Sequence, residues 1–164
     1  MGALLQSEMI ESLSLSSHSP EETQRIGIQL GKLARAGDVF LLSGKLGAGK
    51  TCLAQGIAWG LGFEEYVSSS SFVVVREYRG RLPMYHIDLY RFGRMDEILE
   101  LGLDDYFYDE GVCVVEWIER GTMALPGEHM LIRMEYISDT ERRLCLEPSG
   151  ERYSSMLSDL RRGR

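Results

Sequence analysis

The chain has 164 residues, 44% of them hydrophobic and 26% charged, a balance that fits a soluble globular protein and excludes a disordered one. Its apolar runs reach strand length, far short of the ~20 residues of a membrane span, and no signal peptide is expected from its opening residues. Acidic residues outnumber basic ones, 25 to 18, for a net charge of −7, so the basic face of a free-standing nucleic-acid binder is missing.

One domain, residues 1–164, is expected at this length. Leu13 and Leu15 alternate with serines and predict an edge strand. Ser19-Pro20-Glu21-Glu22 then announces a helix, with a capping serine, proline at the first helical position and Glu22 completing a capping box. Ile26, Leu30 and Leu33 recur at helical spacing and should face the core. Gly37-Asp38 turns the chain into Val39-Phe40-Leu41-Leu42-Ser43, a buried strand.

Gly44-Lys45-Leu46-Gly47-Ala48-Gly49-Lys50-Thr51 follows, with the spacing of a phosphate-binding loop. Glycines let the backbone curl around a polyphosphate, and N–H groups closed by a helix N-terminus attract anions. Lys50 would place its ammonium on the β and γ phosphates and Thr51 its hydroxyl on Mg²⁺. Gly44, Leu46, Gly47, Ala48, Gly49, Lys50 and Thr51 are therefore candidate nucleotide-binding residues. A glycine-rich turn alone is often only a flexible loop, but here a strand precedes it and a helix from Lys50 to Leu61 follows. Leu53, Ile57 and Leu61 form that helix's buried stripe, and Gly62 stops it.

Phe72 to Tyr78 and Leu82 to Leu89 are rich in β-formers, and only Arg79-Gly80-Arg81 separates them. So short a link requires an antiparallel hairpin, hence a mixed sheet. Met95 to Leu101 reads as a short helix closed by Gly102, with a further turn around Leu103 to Phe107. Val112-Cys113-Val114-Val115 is a strand buried on both faces. Strands near Met130–Ile137 and Arg143–Leu146 and a terminal helix over Ser154–Leu160 complete the chain. Arg161-Arg162-Gly163-Arg164 reads as a solvated, frayed end. The three cysteines, Cys52, Cys113 and Cys145, match neither a disulfide framework nor a zinc pattern, and a reducing cytoplasm fits them.

A phosphate loop needs a carboxylate near Mg²⁺, usually at the end of an apolar strand beside the loop strand. Glu116 ends one apolar strand and Asp88 ends Met84-Tyr85-His86-Ile87. Spacing does not decide which acid holds the metal and which orients water. His86 shares a strand face with Asp88, as a proton shuttle or as a hydrogen-bonded structural residue. Trp117 either packs near the nucleotide or ends the strand as a core aromatic. Arg91 is either an arginine finger or a surface ion pair. Ser68-Ser69-Ser70-Ser71 is either a switch loop or a polar connector.

Taken together, the chain resembles the bacterial TsaE family. The resemblance rests on Leu41 through Thr51, Ser69-Ser70-Ser71-Phe72 ahead of Glu77-Tyr78, Tyr85-His86-Ile87-Asp88-Leu89-Tyr90-Arg91, Glu100-Leu101-Gly102-Leu103, and Val115-Glu116-Trp117. It implies a three-layer α/β P-loop NTPase fold, and an ATP- and Mg²⁺-dependent hydrolase serving threonylcarbamoyladenosine modification of tRNA. TsaB and TsaD would be its partners, with tRNA met through their complex. By position, Thr51 and Glu116 would hold Mg²⁺, Asp88 would act near the γ-phosphate, Trp117 would lie close by, and Ser69 to Ser71 would match a switch-like loop. With Lys50 on the phosphates, the catalytic set is Asp88, Glu116, Lys50, Trp117 and Ser71. The family's Ser-Pro-Thr is here Ser69-Ser70-Ser71, which frees the backbone, and Ile118 stands where proline is usual. The competing reading is a small-molecule kinase, whose basic lid would draw on Arg76, Arg79, Arg81, Arg91 and Arg94.

Overall fold

A computed structural model of the chain describes residues 12–67, 75–89, 94–107, 110–117 and 125–163. Its elements are β1 (Leu13–Ser17), α1 (Pro20–Leu33), β2 (Val39–Ser43), α2 (Lys50–Gly60), β3 (Val75–Arg79), β4 (Pro83–Asp88), α3 (Met95–Leu99), α4 (Asp104–Phe107), β5 (Val112–Glu116), β6 (His129–Ser138), β7 (Glu141–Ser149) and α5 (Glu151–Arg162). The strands form one seven-stranded sheet in the order β1-β7-β6-β2-β5-β4-β3. β4, β5, β2 and β6 are mutually parallel. Antiparallel pairs flank them, β3 against β4 on one side and β7 with β1 on the other. The sheet is mixed and the β3–β4 hairpin is present, as its short link requires.

Strand alternation sorts the core onto two faces. Phe40, Leu42, Val112 and Val114 pack with α1, α2 and α5. Val39, Leu41, Cys113 and Val115 pack with α3 and α4. Every residue of β5 is buried, the burden of a central strand covered on both sides.

At the start of α1, Ser19 Oγ accepts the Glu22 N–H at 3.1 Å, as a capping residue should. The Glu22 carboxylate, however, accepts the N–H of His18 at 2.6 Å, one residue outside the usual capping box. Three other boundaries differ from the sequence reading. α3 stops at Leu99 because a 3₁₀-like turn, Leu101 N–H to the Ile98 carbonyl at 3.1 Å, tightens its end. β6 and β7 extend as a long hairpin. α5 begins at Glu151 and carries Arg161 and Arg162 in its last turn, where positive charge complements the helix dipole. That basic end is solvated but helical rather than frayed.

α1 and α2 approach backbone to backbone along four glycines. A Cβ at Gly56 would stand 2.2 Å from the Gln24 carbonyl oxygen, and one at Gly60 would stand 2.3 Å from that of Ile28. From the other side, Gly27 and Gly31 meet the carbonyls of Leu53 and Ile57 at 2.5 and 2.3 Å. This seam fixes where α2, and with it Lys50 and Thr51, sits over the sheet.

The opposite end of β2 is fastened by α5. Arg152 forks onto Asp38, Nε to Oδ1 at 3.1 Å and Nη2 to Oδ2 at 2.7 Å, and reaches the Leu33 carbonyl at 2.7 Å. The Val39 N–H donates to the Tyr153 hydroxyl at 2.8 Å. Burial, more than any other influence, pushes the Tyr153 phenol up from 10.0 to about 12.

Two outcomes are expected. Gly56→Ala drives a methyl into backbone and should destabilise the fold by about 1–3 kcal/mol or more. Gly127→Ala, with nothing within 4 Å of its Cβ, should stay within about 0.5 kcal/mol of the parent, both read from urea midpoints. For Tyr153, the folded chain holds the proton more tightly than the unfolded chain. Its stabilisation is therefore complete below pH 10.0 and lost as pH climbs toward about 12. Urea midpoints followed across that window should fall, and Tyr153→Phe should flatten the fall while lowering the midpoint at neutral pH.

Candidate functional site

The loop between β2 and α2 takes the shape its glycines permit. Gly47 and Gly49 hold φ of +85° and +99°, in the left-handed region that other residues enter only with strain. Gly49 is also the residue that opens α2. The tip side chain, Leu46, is 84% exposed, whereas Ala48 is buried.

Lys50 is the charged centre of the site. It is only 5% exposed, and its ammonium donates to the carbonyls of Gly44 and, at 3.1 Å, Lys45. The side chain thus bridges the loop from helix to strand and sets its curvature. The same Nζ lies 3.8 Å from the centre of the Trp117 ring, a cation–π contact. Trp117 has φ +62°, the one non-glycine residue in the left-handed region among those described. A bulky residue held there carries backbone strain, and such strain gathers at functional sites. Trp117 combines features of both readings, packing against the core of β5 with its ring under the Lys50 ammonium.

Glu116 stands at the carboxyl end of β5, next to the loop strand, with Leu42 as its Cα partner. It is 3% exposed. Thr51 Oγ1 donates to Glu116 Oε1 at 3.4 Å, and His86 Nε2 bonds Glu116 Oε2. Asp88 is the Cα partner of Glu116 on β4. Asp88, His86 and Glu116 all lie on the sheet face that α2 covers. The structure therefore gathers Lys50, Thr51, Asp88, Glu116 and Trp117 at one end of the parallel strands. Ser69, Ser70, Ser71, Tyr90, Arg91 and Ile118 lie outside the described residues.

Thr51 and Glu116 present two hard oxygens side by side, a donor pair that suits Mg²⁺. Among the described residues no three His, Cys, Asp or Glu side chains form a metal cage. A cation shared with ligand phosphates needs no such cage. Burial, with the Glu21 charge as a lesser influence, pushes the Cys52 thiol above its usual value. Cys52 therefore remains a thiol, donating to the Pro20 carbonyl at 3.3 Å.

Two contributors escaped the sequence reading. Arg142, in the β6–β7 hairpin, donates from Nε to the Gly47 carbonyl at 3.1 Å and stacks on Tyr136. Gln55 grips the segment after α2, donating to the Glu65 carbonyl at 3.0 Å and accepting the Val67 N–H at 2.6 Å. Neither carries a local signal, because each acts on backbone remote in sequence or hidden in a helix interior. A cavity of about 310 Å³ opens beside the loop, lined by His18, Ser19, Gly49, Cys52, Thr140 and Arg142.

Of the arginines weighed for a kinase lid, Arg79, Arg81 and Arg94 have other partners, and Arg91 lies outside the described residues. Arg81 Nη2 caps the end of α1, at 2.8 Å from the carbonyls of Gly31 and Ala34. Arg79 pairs with Glu77 at 3.0 Å and Arg94 with Asp96 at 3.1 Å. Arg76 Nε is buried without a hydrogen-bond partner among the described residues.

A family model described as threonylcarbamoyl adenosine biosynthesis protein TsaE matches residues 17–144. The chain belongs to the TsaE family. A relative from Bacillus subtilis, the tRNA threonylcarbamoyladenosine biosynthesis protein TsaE, is 40% identical over 93% of this chain and 96% of its own length. A relative of the same name from Treponema pallidum is 38% identical over 79% of this chain and 96% of its own length. The crystal structure of YdiB from Bacillus subtilis superposes with a TM-score of 0.83 at 38% identity, covering 94% of this chain and 97% of that one. The family match spans the loop, the β3–β4 hairpin and β5, so every site residue described above lies inside it. Among the described residues of this TsaE-family chain, no helix is long and apolar enough to cross a membrane.

Proposed function

We propose that this TsaE-family chain is a P-loop ATPase of the three-layer type, with an inserted β-hairpin. It hydrolyses ATP with Mg²⁺ in the cytoplasm to support threonylcarbamoyladenosine modification of tRNA. The observation that carries this reading is the junction of Lys50, bridging the loop, with the Thr51–Glu116 oxygen pair at its foot. The positive φ of Gly47 and Gly49 and the cavity of about 310 Å³ beside Gly49 support a nucleotide as the ligand. The relatives are tRNA threonylcarbamoyladenosine biosynthesis proteins, and the extent of the likeness supports carrying that role to the whole chain.

In this reading the N–H groups from Leu46 to Thr51 bind the phosphates, and Lys50 neutralises charge on the β and γ groups. Mg²⁺, held by Thr51 and Glu116 together with phosphate oxygens, would supply charge stabilisation to the transferring phosphoryl group. Both Glu116 oxygens are engaged, one by Thr51 and one by His86. Asp88, in register on the next strand, would orient the attacking water. Ser71 would contribute its hydroxyl from the switch-like loop. The product of turnover is a change in the assembly or resetting of a TsaB–TsaD complex, with tRNA met through that complex. The placement of Arg79, Arg81 and Arg94 disfavours a kinase lid.

Hydrolysis by the purified chain should be slow alone and stimulated when TsaB, TsaD and tRNA are added. Indifference to them, with phosphate delivered to a metabolite instead, would sink the proposal. Lys50→Ala should lower kcat on the order of 10²–10³-fold, whereas Glu116→Ala should impair Mg²⁺-dependent hydrolysis more than nucleotide binding. A second outcome concerns the two tryptophans, Trp59 and Trp117. ATP binding draws the Lys50 ammonium toward phosphate and off the Trp117 ring, so intrinsic fluorescence should change. Trp117→Phe should abolish that change and Trp59→Phe should leave it.

A further inference from the structure

Glu116 is a carboxylate with 3% exposure at the end of a strand buried on both faces. Burying a charge without partners is costly, so each of its oxygens must be met. One oxygen faces Thr51; the other is met by a ring from the neighbouring strand. His86 lies on β4 beside β5, 5% exposed, with its Nε2 on Glu116 Oε2. An ionised carboxylate can only accept, so His86 Nε2 is the donor in this bond. The ring is held in turn from the hairpin side by Tyr78, whose centroid lies 6.4 Å away.

We propose that His86 is a positioning residue for Glu116. By occupying Oε2, it holds the carboxylate in the one orientation that presents Oε1 to Thr51 and to the cation between them. The inference rests on the nucleotide–Mg²⁺ reading above and deepens it. The sequence offered a proton shuttle or a hydrogen-bonded structural histidine; the geometry is that of the second, with its bond on the Glu116 carboxylate. Without the Nε2–H donor, Oε2 is left buried and unpaired, and the carboxylate turns toward other donors or water. Metal affinity suffers while the phosphate cradle, built from the loop and Lys50, does not.

The test is binding rather than turnover. A fluorescent N-methylanthraniloyl ATP is titrated into His86→Leu, His86→Asn and His86→Gln variants, first in chelator and then against rising Mg²⁺. Glutamine carries its amide nitrogen where histidine carries Nε2, so it keeps the donor; the asparagine amide ends at the Nδ1 position and cannot reach. His86→Leu and His86→Asn should need about 10- to 100-fold more Mg²⁺ for half-maximal response. Their nucleotide affinity in chelator should be unchanged, and His86→Gln should recover most of the loss. A half-saturating Mg²⁺ concentration in folded His86→Asn equal to that of the parent would overturn the inference. So would equal losses in the Asn and Gln variants, which would mark a packing role. If His86→Leu fails to fold by circular dichroism, the Asn and Gln pair still decides. A parent protein that binds the probe with no response to Mg²⁺ would instead overturn the nucleotide–Mg²⁺ reading, and this inference with it.

Discussion

Parallel pairing of β2 with β5 is the constraint from which the site follows. Its register sets Leu42 against Glu116, so the last hydrogen-bonded step of one strand leads into the phosphate loop while the other ends in a carboxylate. Neighbouring strands lie about 4.8 Å apart, close enough for the first turn of the helix after the loop to meet that acid. A register shift of one residue would turn Glu116 to the other face of the sheet and leave Thr51 facing a valine side chain. Because β5 is apolar and buried on both faces, its register is also the one that fills both cores.

The rest of the fold holds this junction rigid. The glycine seam lets α1 and α2 touch backbone to backbone, so α2 cannot shift along the sheet without steric collision. Arg152, Asp38 and Tyr153 secure the start of β2, and Arg142 ties the tip of the loop to the β6–β7 hairpin. A concave site whose framework is fixed in advance leaves the Lys50 side chain as the group that reorganises when an anion enters. That matters here because Lys50, His86 and Glu116 are all nearly buried. In such surroundings each charge needs its partner, and the partners interlock: loop carbonyls with Lys50, Thr51 and His86 with Glu116.

The inserted hairpin has a second consequence. It places β4 next to β5, with α3 and α4 in the crossover between them, so two acids, Asp88 and Glu116, end adjacent parallel strands in register. It also brings His86 up against the Glu116 carboxylate, with Tyr78 of the edge strand beside the imidazole.

Much of this was legible in the sequence because it depends on local rules. The glycine spacing of the loop, proline and serine at the start of α1, the three-residue link of the hairpin and the apolar run of β5 each encode their structure within a few residues. The sequence also determined the family, through motifs in a fixed order. Helix and strand ends were less legible, because tightened local turns rather than residue type set where α3 and α5 end. What only the tertiary structure decided was pairing between distant segments. Trp117 under Lys50, His86 on Glu116, Arg142 on Gly47 and the four-glycine seam join residues that no local pattern relates. Their common physical cause is burial: once the sheet order brings charged and polar groups together out of water, each must find a partner in space, whatever its place along the chain.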